Sequence, residues 1–247
     1  MKKHGTVPQL SAKEIFDLGA AIFQQLPRHL DPDKVRIDLG SKGALGRDLG
    51  KFFRDRYAAP SPLIDMALYT RFFQEIYGKT VDLSTLLVPV KPEYESWPVV
   101  VVPGLVTNND RFEASGKLFG GAWRYVDDLN TVHDIVERPK GPYVVWVKAV
   151  VEADQDLANV SAETIVERKL NTLTLGERLD LGLQHFFAKK EHLDTANVSL
   201  CAGSRYADGS VPYVRWFPAY RKRYVDTYGV RSAAPHLRAR AAVVPEA

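Results

Sequence analysis

Val211-Pro-Tyr-Val-Arg-Trp-Phe217 alternates along its length, and Arg223 to Tyr228 alternates again. Successive side chains of a strand point to opposite faces of a sheet. If Val214, Trp216 and Val225 point inward, then Tyr213, Arg215, Phe217, Tyr224 and Asp226 point outward. An outward row of Tyr, Arg and Phe exceeds what an idle surface needs. The surrounding segment is also unusual: from Arg205 to Ala247 there are eight basic residues against three acidic ones, with aromatics interleaved. That mixture suits a protein-recognition surface, where Tyr, Trp and Arg supply most of the binding energy. It also suits single-stranded nucleic acid, through phosphate contacts and base stacking. The stretch from Cys201 to Val243 is therefore expected to be a β-rich recognition surface.

Upstream, the periodicity changes. Ser11-Ala-Lys-Glu14 is a capping box that opens a helix over 12–26, which Pro27 and Pro32 stop. Leu45, Leu49, Phe52 and Phe53 suggest a second helix, and Ile64 to Tyr77 a third. Leu86 to Val90, Val99 to Val102 and Tyr143 to Val151 are β-rich runs. Gly104 to Tyr125 is rich in glycine and asparagine and contains Phe119-Gly-Gly-Ala-Trp123. Ser161 caps a short helix to about Lys169. Thr174-Leu-Gly-Glu177 is a second capping box, followed by Leu175, Leu179, Leu183 and Phe186 on one buried stripe. Leu237 to Val243 is a plausible last strand. The fold class is α+β, with a mainly helical region over 1–95 and a β-rich domain over 96–247.

The chain has 247 residues, 45% of them hydrophobic and 26% charged, with a net charge of +3. These are ordinary values for a globular protein, and the charge is too small to imply a partner for the whole chain. Cys201 is the single cysteine, which leaves no intrachain disulfide and no cysteine-built zinc site. No run of about 18 apolar residues occurs, so no membrane span is expected. Nor is a signal peptide, which leaves a cytoplasmic location by default.

Most catalytic signatures fail. The glycines at 40, 43, 46 and 50 lack a phosphate loop's Gly-Lys-Ser/Thr, because Phe52 follows Gly50-Lys51. The six histidines form no metal-ligand pair at helical spacing, although His185 and His192 could share a helix face. No Gly-x-Ser-x-Gly elbow is present, and Cys201 reads as a buried structural thiol. Glu152-Ala-Asp154-Gln-Asp156 could offer oxygens to Ca²⁺ but lacks the EF-hand glycine and distal glutamate, so it reads as a solvated acidic turn. The segment His29-Leu-Asp31 to Lys42 echoes His192-Leu-Asp194 to Arg205 as a shared helix-to-strand turn. No catalytic residue, metal or cofactor is expected.

Thr172-Leu-Thr-Leu-Gly-Glu-Arg-Leu179, His192-Leu-Asp194, Leu200-Cys-Ala-Gly-Ser-Arg-Tyr206, Asp208-Gly209, Val211-Pro212, Trp216 and Leu237-Arg-Ala-Arg240 form a frame that looks familiar. Over about Gly141 to Val243 it resembles the C-type-lectin-fold variable proteins of diversity-generating retroelements. The resemblance implies a C-type-lectin-like domain whose final strands and loops display mutable side chains to a ligand, a protein or cell-surface molecule. Carried over, the display positions are Ser210, Tyr213, Arg215, Phe217, Ala219, Tyr220, Tyr224, Asp226 and Tyr228. Gly203, Arg205, Gly209, Trp216, Arg238 and Arg240 are the frame. Thr227 stands where the family pattern has an aromatic, and Gly120-Gly-Ala-Trp123 lies upstream instead of within the tail. A nucleic-acid-binding module built on the same basic and aromatic segment is the alternative.

Overall fold

The computed structural model describes residues 64–245 and, before them, residues 11, 13, 16, 17, 19 and 20. The chain divides into two units, Met1–Ile64 and Asp65–Ala247. In the first, Lys13, Phe16, Asp17, Gly19 and Ala20 are helical. The expected second helix, the glycines at 40–50 and the His29-Leu-Asp31 segment lie outside the described residues. The second unit mixes helices and sheets, an α+β arrangement.

The second unit begins with α1, Met66–Tyr77, close to the helix expected from Ile64. Asp65 caps it by accepting from the Leu68 amide, and Gly78 ends it in the left-handed conformation (φ 66°) that glycine adopts without strain. Tyr69, Phe72 and Phe73 form its buried face. β1 (Ser96–Val101) pairs antiparallel with β4 (Tyr143–Lys148), Val100 opposite Val144. Their dense valine content reflects burial on both faces. Two β expectations shrink. Leu86 to Val90 makes one bridge, Leu87 to Tyr143. The run from Tyr143 stops at Lys148, and Val150 and Val151 are exposed.

The glycine- and asparagine-rich stretch hides a helix. α2, Asn108–Phe119, opens on a capping box between Thr107 and Asp110 and ends at Gly120. β2 (Ala122–Arg124) follows, then β3 (His133–Asp134). α3 (Ala162–Glu167) is capped by Ser161, and α4 (Leu175–Lys189) by the Thr174/Glu177 box, as their sequences predict. β5 (Val198–Leu200), β6 (Ser204–Arg205), β7 (Val211–Phe217), β8 (Lys222–Tyr228) and β9 (Leu237–Ala239) complete the order. One sheet has five strands in the order β2-β8-β7-β5-β9, while β3 and β6 form a small ribbon. β2 lies parallel to β8, and β9 parallel to β5. The expected last strand therefore ends early, at Ala239. The chain then leaves the sheet, and Val243 exchanges two backbone hydrogen bonds with Trp146 of β4.

α4 is central, and it departs from the single buried stripe its leucines predict. It is buried from Glu177 through His185, and Glu177, Arg178, Asp180 and Gln184 each meet a partner elsewhere in the fold. Glu177 accepts from Arg138 Nε at 2.6 Å and the Tyr143 hydroxyl at 2.9 Å. Asp180 accepts from Arg111 Nε at 2.9 Å and the Tyr77 hydroxyl at 3.0 Å. Gln184 brackets Val100, accepting from its amide and donating to its carbonyl. Arg178 Nη2 meets Asp194 Oδ2 at 2.6 Å. Leu173 and Leu181 pack under Val99, Tyr143, Val145 and Val147. Leu175 and Leu179 pack with Phe112, Cys201, Val214 and Val225. A third cluster of Leu157, Ala162, Ile165, Val211, Leu237 and Ala239 covers part of the large sheet's other face. Cys201 is fully buried, and burial pushes its thiol pKa up.

Asp194 sits in the left-handed region (φ 55°), which asparagine also tolerates. Asp194→Asn keeps that backbone and removes the charge facing Arg178 and Arg240. We expect a loss of about 3–5 kcal/mol, the usual result of orphaning buried ions. It is read as a lower urea midpoint with an unchanged slope.

Candidate ligand-binding face

β7 and β8 pair antiparallel with Val214 opposite Val225, Arg215 opposite Tyr224 and Tyr213 opposite Asp226. Val214, Trp216 and Val225 are buried, while Tyr213, Arg215, Phe217, Tyr224 and Asp226 are partly exposed. The alternation thus sorts the two faces as the sequence predicts. Arg223 belongs with the inward set. Its Nη1 donates to Ser115 Oγ at 2.8 Å, and its guanidinium lies 4.2 Å from the Phe119 ring centroid.

The outward positions fall into two groups. Tyr213, Asp226, Tyr228 and Ser210 are tied down. The Tyr213 hydroxyl donates to Asp226 Oδ2 at 3.0 Å, and its ring lies 4.9 Å from that of Tyr228. Both tyrosines pack against the third core cluster. Ser210 donates to Asp208 Oδ1 at 2.6 Å within the turn that carries Gly209 (φ 82°). Thr227 Oγ1 lies 2.6 Å from Ser210 Oγ and fastens β8 to that turn.

Arg215, Phe217, Tyr220 and Tyr224 form the open group, with Ala219 exposed in the β7–β8 turn. Their rings run on continuously: Tyr220 to Phe217 is 4.9 Å and Phe217 to Tyr224 is 5.6 Å. The row does not stop at β8. β2 sets Trp123 opposite Tyr224, ring centroids 5.3 Å apart. Trp123 is 41% exposed and Tyr220 63%. The Arg215 guanidinium lies 4.4 Å from the Phe217 ring centroid, a cation–π contact. Sequence reasoning did not place Trp123 here. The signal was Gly120-Gly-Ala-Trp123, but its meaning depends on a parallel pairing to a strand about a hundred residues on.

Comparison with protein-family models, curated proteins and solved structures found no match to this chain.

The frame residues sit beneath and beside this face. Arg240 is buried and meets Asp194 Oδ1 at 2.8 Å. Arg205 caps the carbonyls of Ala202 and Ser204, and Arg238 reaches those of Pro235 and Ala153. A Cβ at Gly203 would stand 3.1 Å from Thr174 Cγ2, close enough to favour glycine. Trp216 stacks on His192 with centroids 3.6 Å apart and planes 3° from parallel. His192 lies beyond the end of α4 and so shares no helix face with His185.

The acidic loop is more engaged than a solvated turn. Glu152 accepts from Thr195, Ala196 and Asn197. Asp156 takes Lys148, while Asp154 is buried and accepts from the Ala241 amide. Among the described residues, no group of three or more His, Cys, Asp and Glu side chains could hold a metal ion.

Two outcomes follow. Replacing Trp123, Phe217 and Tyr224 together with alanine removes exposed ring area and little core. The far-ultraviolet spectrum should be unchanged, and the unfolding free energy should drop by no more than about 1 kcal/mol. The second concerns pH. Burial, assisted by the nearby Arg223 charge, lowers the His192 pKa from 6.5 to about 4. A depressed histidine favours the fold while neutral. Its contribution is complete above pH 6.5 and is lost as pH falls toward 4. His192→Phe keeps a ring on Trp216, so its melting temperature should decline less than the parent's across that interval.

Proposed function

We propose that this chain is a non-enzymatic recognition protein with a C-type-lectin-like C-terminal domain, displaying side chains from β7, β8 and their turn to a macromolecular ligand. The observation that carries the reading is the continuous row Trp123, Tyr224, Phe217 and Tyr220, exposed at its two ends and half-buried between them. Large rigid rings offer contact area at low entropy cost, and desolvated aromatic and arginine anchors dominate interface energies. The strands beneath are held by buried ion pairs and by core on their inner side, so the open positions could vary without disturbing the fold. That combination supports membership of the diversity-generating retroelement targets.

The basic residues favour a protein ligand over nucleic acid. Arg223 and Arg240 are buried, Arg205 and Arg238 bond backbone carbonyls, and Arg231 pairs with Glu163 at 3.0 Å. Arg215, Arg221 and Lys222 are left beside the aromatic row, a short track for a phosphate backbone.

Two measurements test the proposal. The gene should neighbour a reverse transcriptase and a near-copy of its own 3′ end that differs mainly at adenines. A locus without either removes the retroelement reading. Mixed oligonucleotides should bind weakly. Tight binding that collapses between about 50 and 200 mM salt would replace the protein-ligand reading with the nucleic-acid one.

A further inference from the structure

A concave site is lined by residues outside the aromatic row. It is a cavity of about 250 Å³ at the N-terminal ends of α2 and α4, smaller than the ~300–1,000 Å³ of a pocket for drug-sized ligands. Its walls include Asn108 and Arg111 of α2, Gly176 and Glu177 of α4, and Asp134 of β3.

Both helices present their positive ends here. In their first turns, the amides of Asn109 and Asp110 and of Leu175 and Glu177 are taken by side chains. Those of Asn108 and Gly176 have no acceptor among the described residues. Arg111 is 6% exposed and lies against Gly176. Its Nε is spent on Asp180 and its Nη1 on the Val106 carbonyl, while Nη2 has no acceptor among the described residues. Donors left over at two helix ends, beside a buried guanidinium, are the seat of a carboxylate.

A carboxylate beside the N-terminus of α4 asks for a cation: the Ser204 hydroxyl that donates to Asp134 accepts from the Leu175 amide. The charges of Arg111 and Asp180 cancel at 2.9 Å, and those of Arg138 and Glu177 at 2.6 Å. Among the described residues Asp134 has no ion-pair partner, and the nearby Arg138 and Arg111 charges do not outweigh the push of its burial toward neutrality. One of its oxygens accepts from Ser204 Oγ at 2.5 Å, and its side chain is otherwise open to the cavity mouth. A bare anion would meet this carboxylate, and a bare cation would meet the helix ends. We propose that the cavity binds a small zwitterion, an α-amino acid, with its carboxylate at Asn108, Gly176 and Arg111 and its ammonium at Asp134. The proposal is independent of the recognition reading.

The test is calorimetric titration of the full chain with each standard amino acid, backed by thermal shift. At least one should bind and raise the melting temperature with dose. The matching amine, without the carboxylate, and the matching acid, without the ammonium, should each bind about tenfold or more weakly, the worth of one charge-assisted hydrogen bond. Asp134→Asn keeps an acceptor for Ser204, so the unliganded melting temperature should hold. Its amino-acid affinity should fall about tenfold while affinity for the plain acid, freed of the carboxylate's repulsion, should rise. The proposal is overturned if no amino acid binds at millimolar concentration, if inorganic phosphate binds as tightly as the best amino acid, or if Asp134→Asn leaves amino-acid affinity unchanged.

Discussion

The Asp194 carboxylate is the point on which the second unit closes. It is fully buried, yet its pKa is lowered: burial pushes the group toward neutrality, and Arg240, Arg178 and the Ser199 hydroxyl outweigh that push. Each partner comes from a different part of the fold. Arg178 belongs to α4, Ser199 to β5, and Arg240 to the segment that leaves β9 for the β1–β4 pair. The backbone joins in. The Asp194 amide donates to the Val151 carbonyl, and its own carbonyl accepts from the Trp216 amide of β7. Arg240 adds bonds to the Val150 and Val151 carbonyls just past the end of β4. Burying these ions costs several kcal/mol each before pairing, so the node contributes specificity of arrangement more than net stability. It sets the central helix, both larger sheets and the chain's last crossing relative to one another.

This dependence explains what the sequence could and could not reveal. The Ser161 cap and the Thr174 capping box are local, and the helices they open stand where their residues predict. The alternation in Val211–Phe217 is local too, and it sorts the two faces of β7. Leu175, Leu179 and Leu183 were legible as a buried stripe. Burial of Glu177, Arg178 and Asp180 was not, because Arg138, Asp194 and Arg111 lie between 16 and 69 residues away. A charged residue reads as solvent-facing until its counter-ion is located. α2 escaped notice for a different reason. Its Asn, Gly and Ser content is that of a loop, and only Thr107-x-x-Asp110 signalled a helix start.

The candidate face shows the same split. The outward set on β7 and β8 follows from period-two alternation alone. Its division into tied and open members does not, since the tie between Tyr213 and Asp226 depends on antiparallel register, and the cover over Tyr213 and Tyr228 comes from α3 and its neighbours. The extension to Trp123 depends on β2 joining the sheet edge parallel to β8, a pairing no local pattern announces.

On the proposed reading, a variable recognition face needs side chains that can change on a backbone that does not. The tied residues stand where the sheet's outer face is already closed over by the third core cluster, and alteration there would disturb packing. The open residues stand toward β2 and the β7–β8 turn, where the rings touch one another and Arg215 also reaches the Thr195 carbonyl. Trp123 abuts that region yet lies on a strand about a hundred residues away in sequence. If variation is confined to the C-terminal coding end, Trp123 stays constant while Tyr224 and Phe217 change beside it. The face then combines a fixed aromatic anchor with a replaceable border, so that affinity can rest partly on a residue common to every variant while selectivity resides in its neighbours.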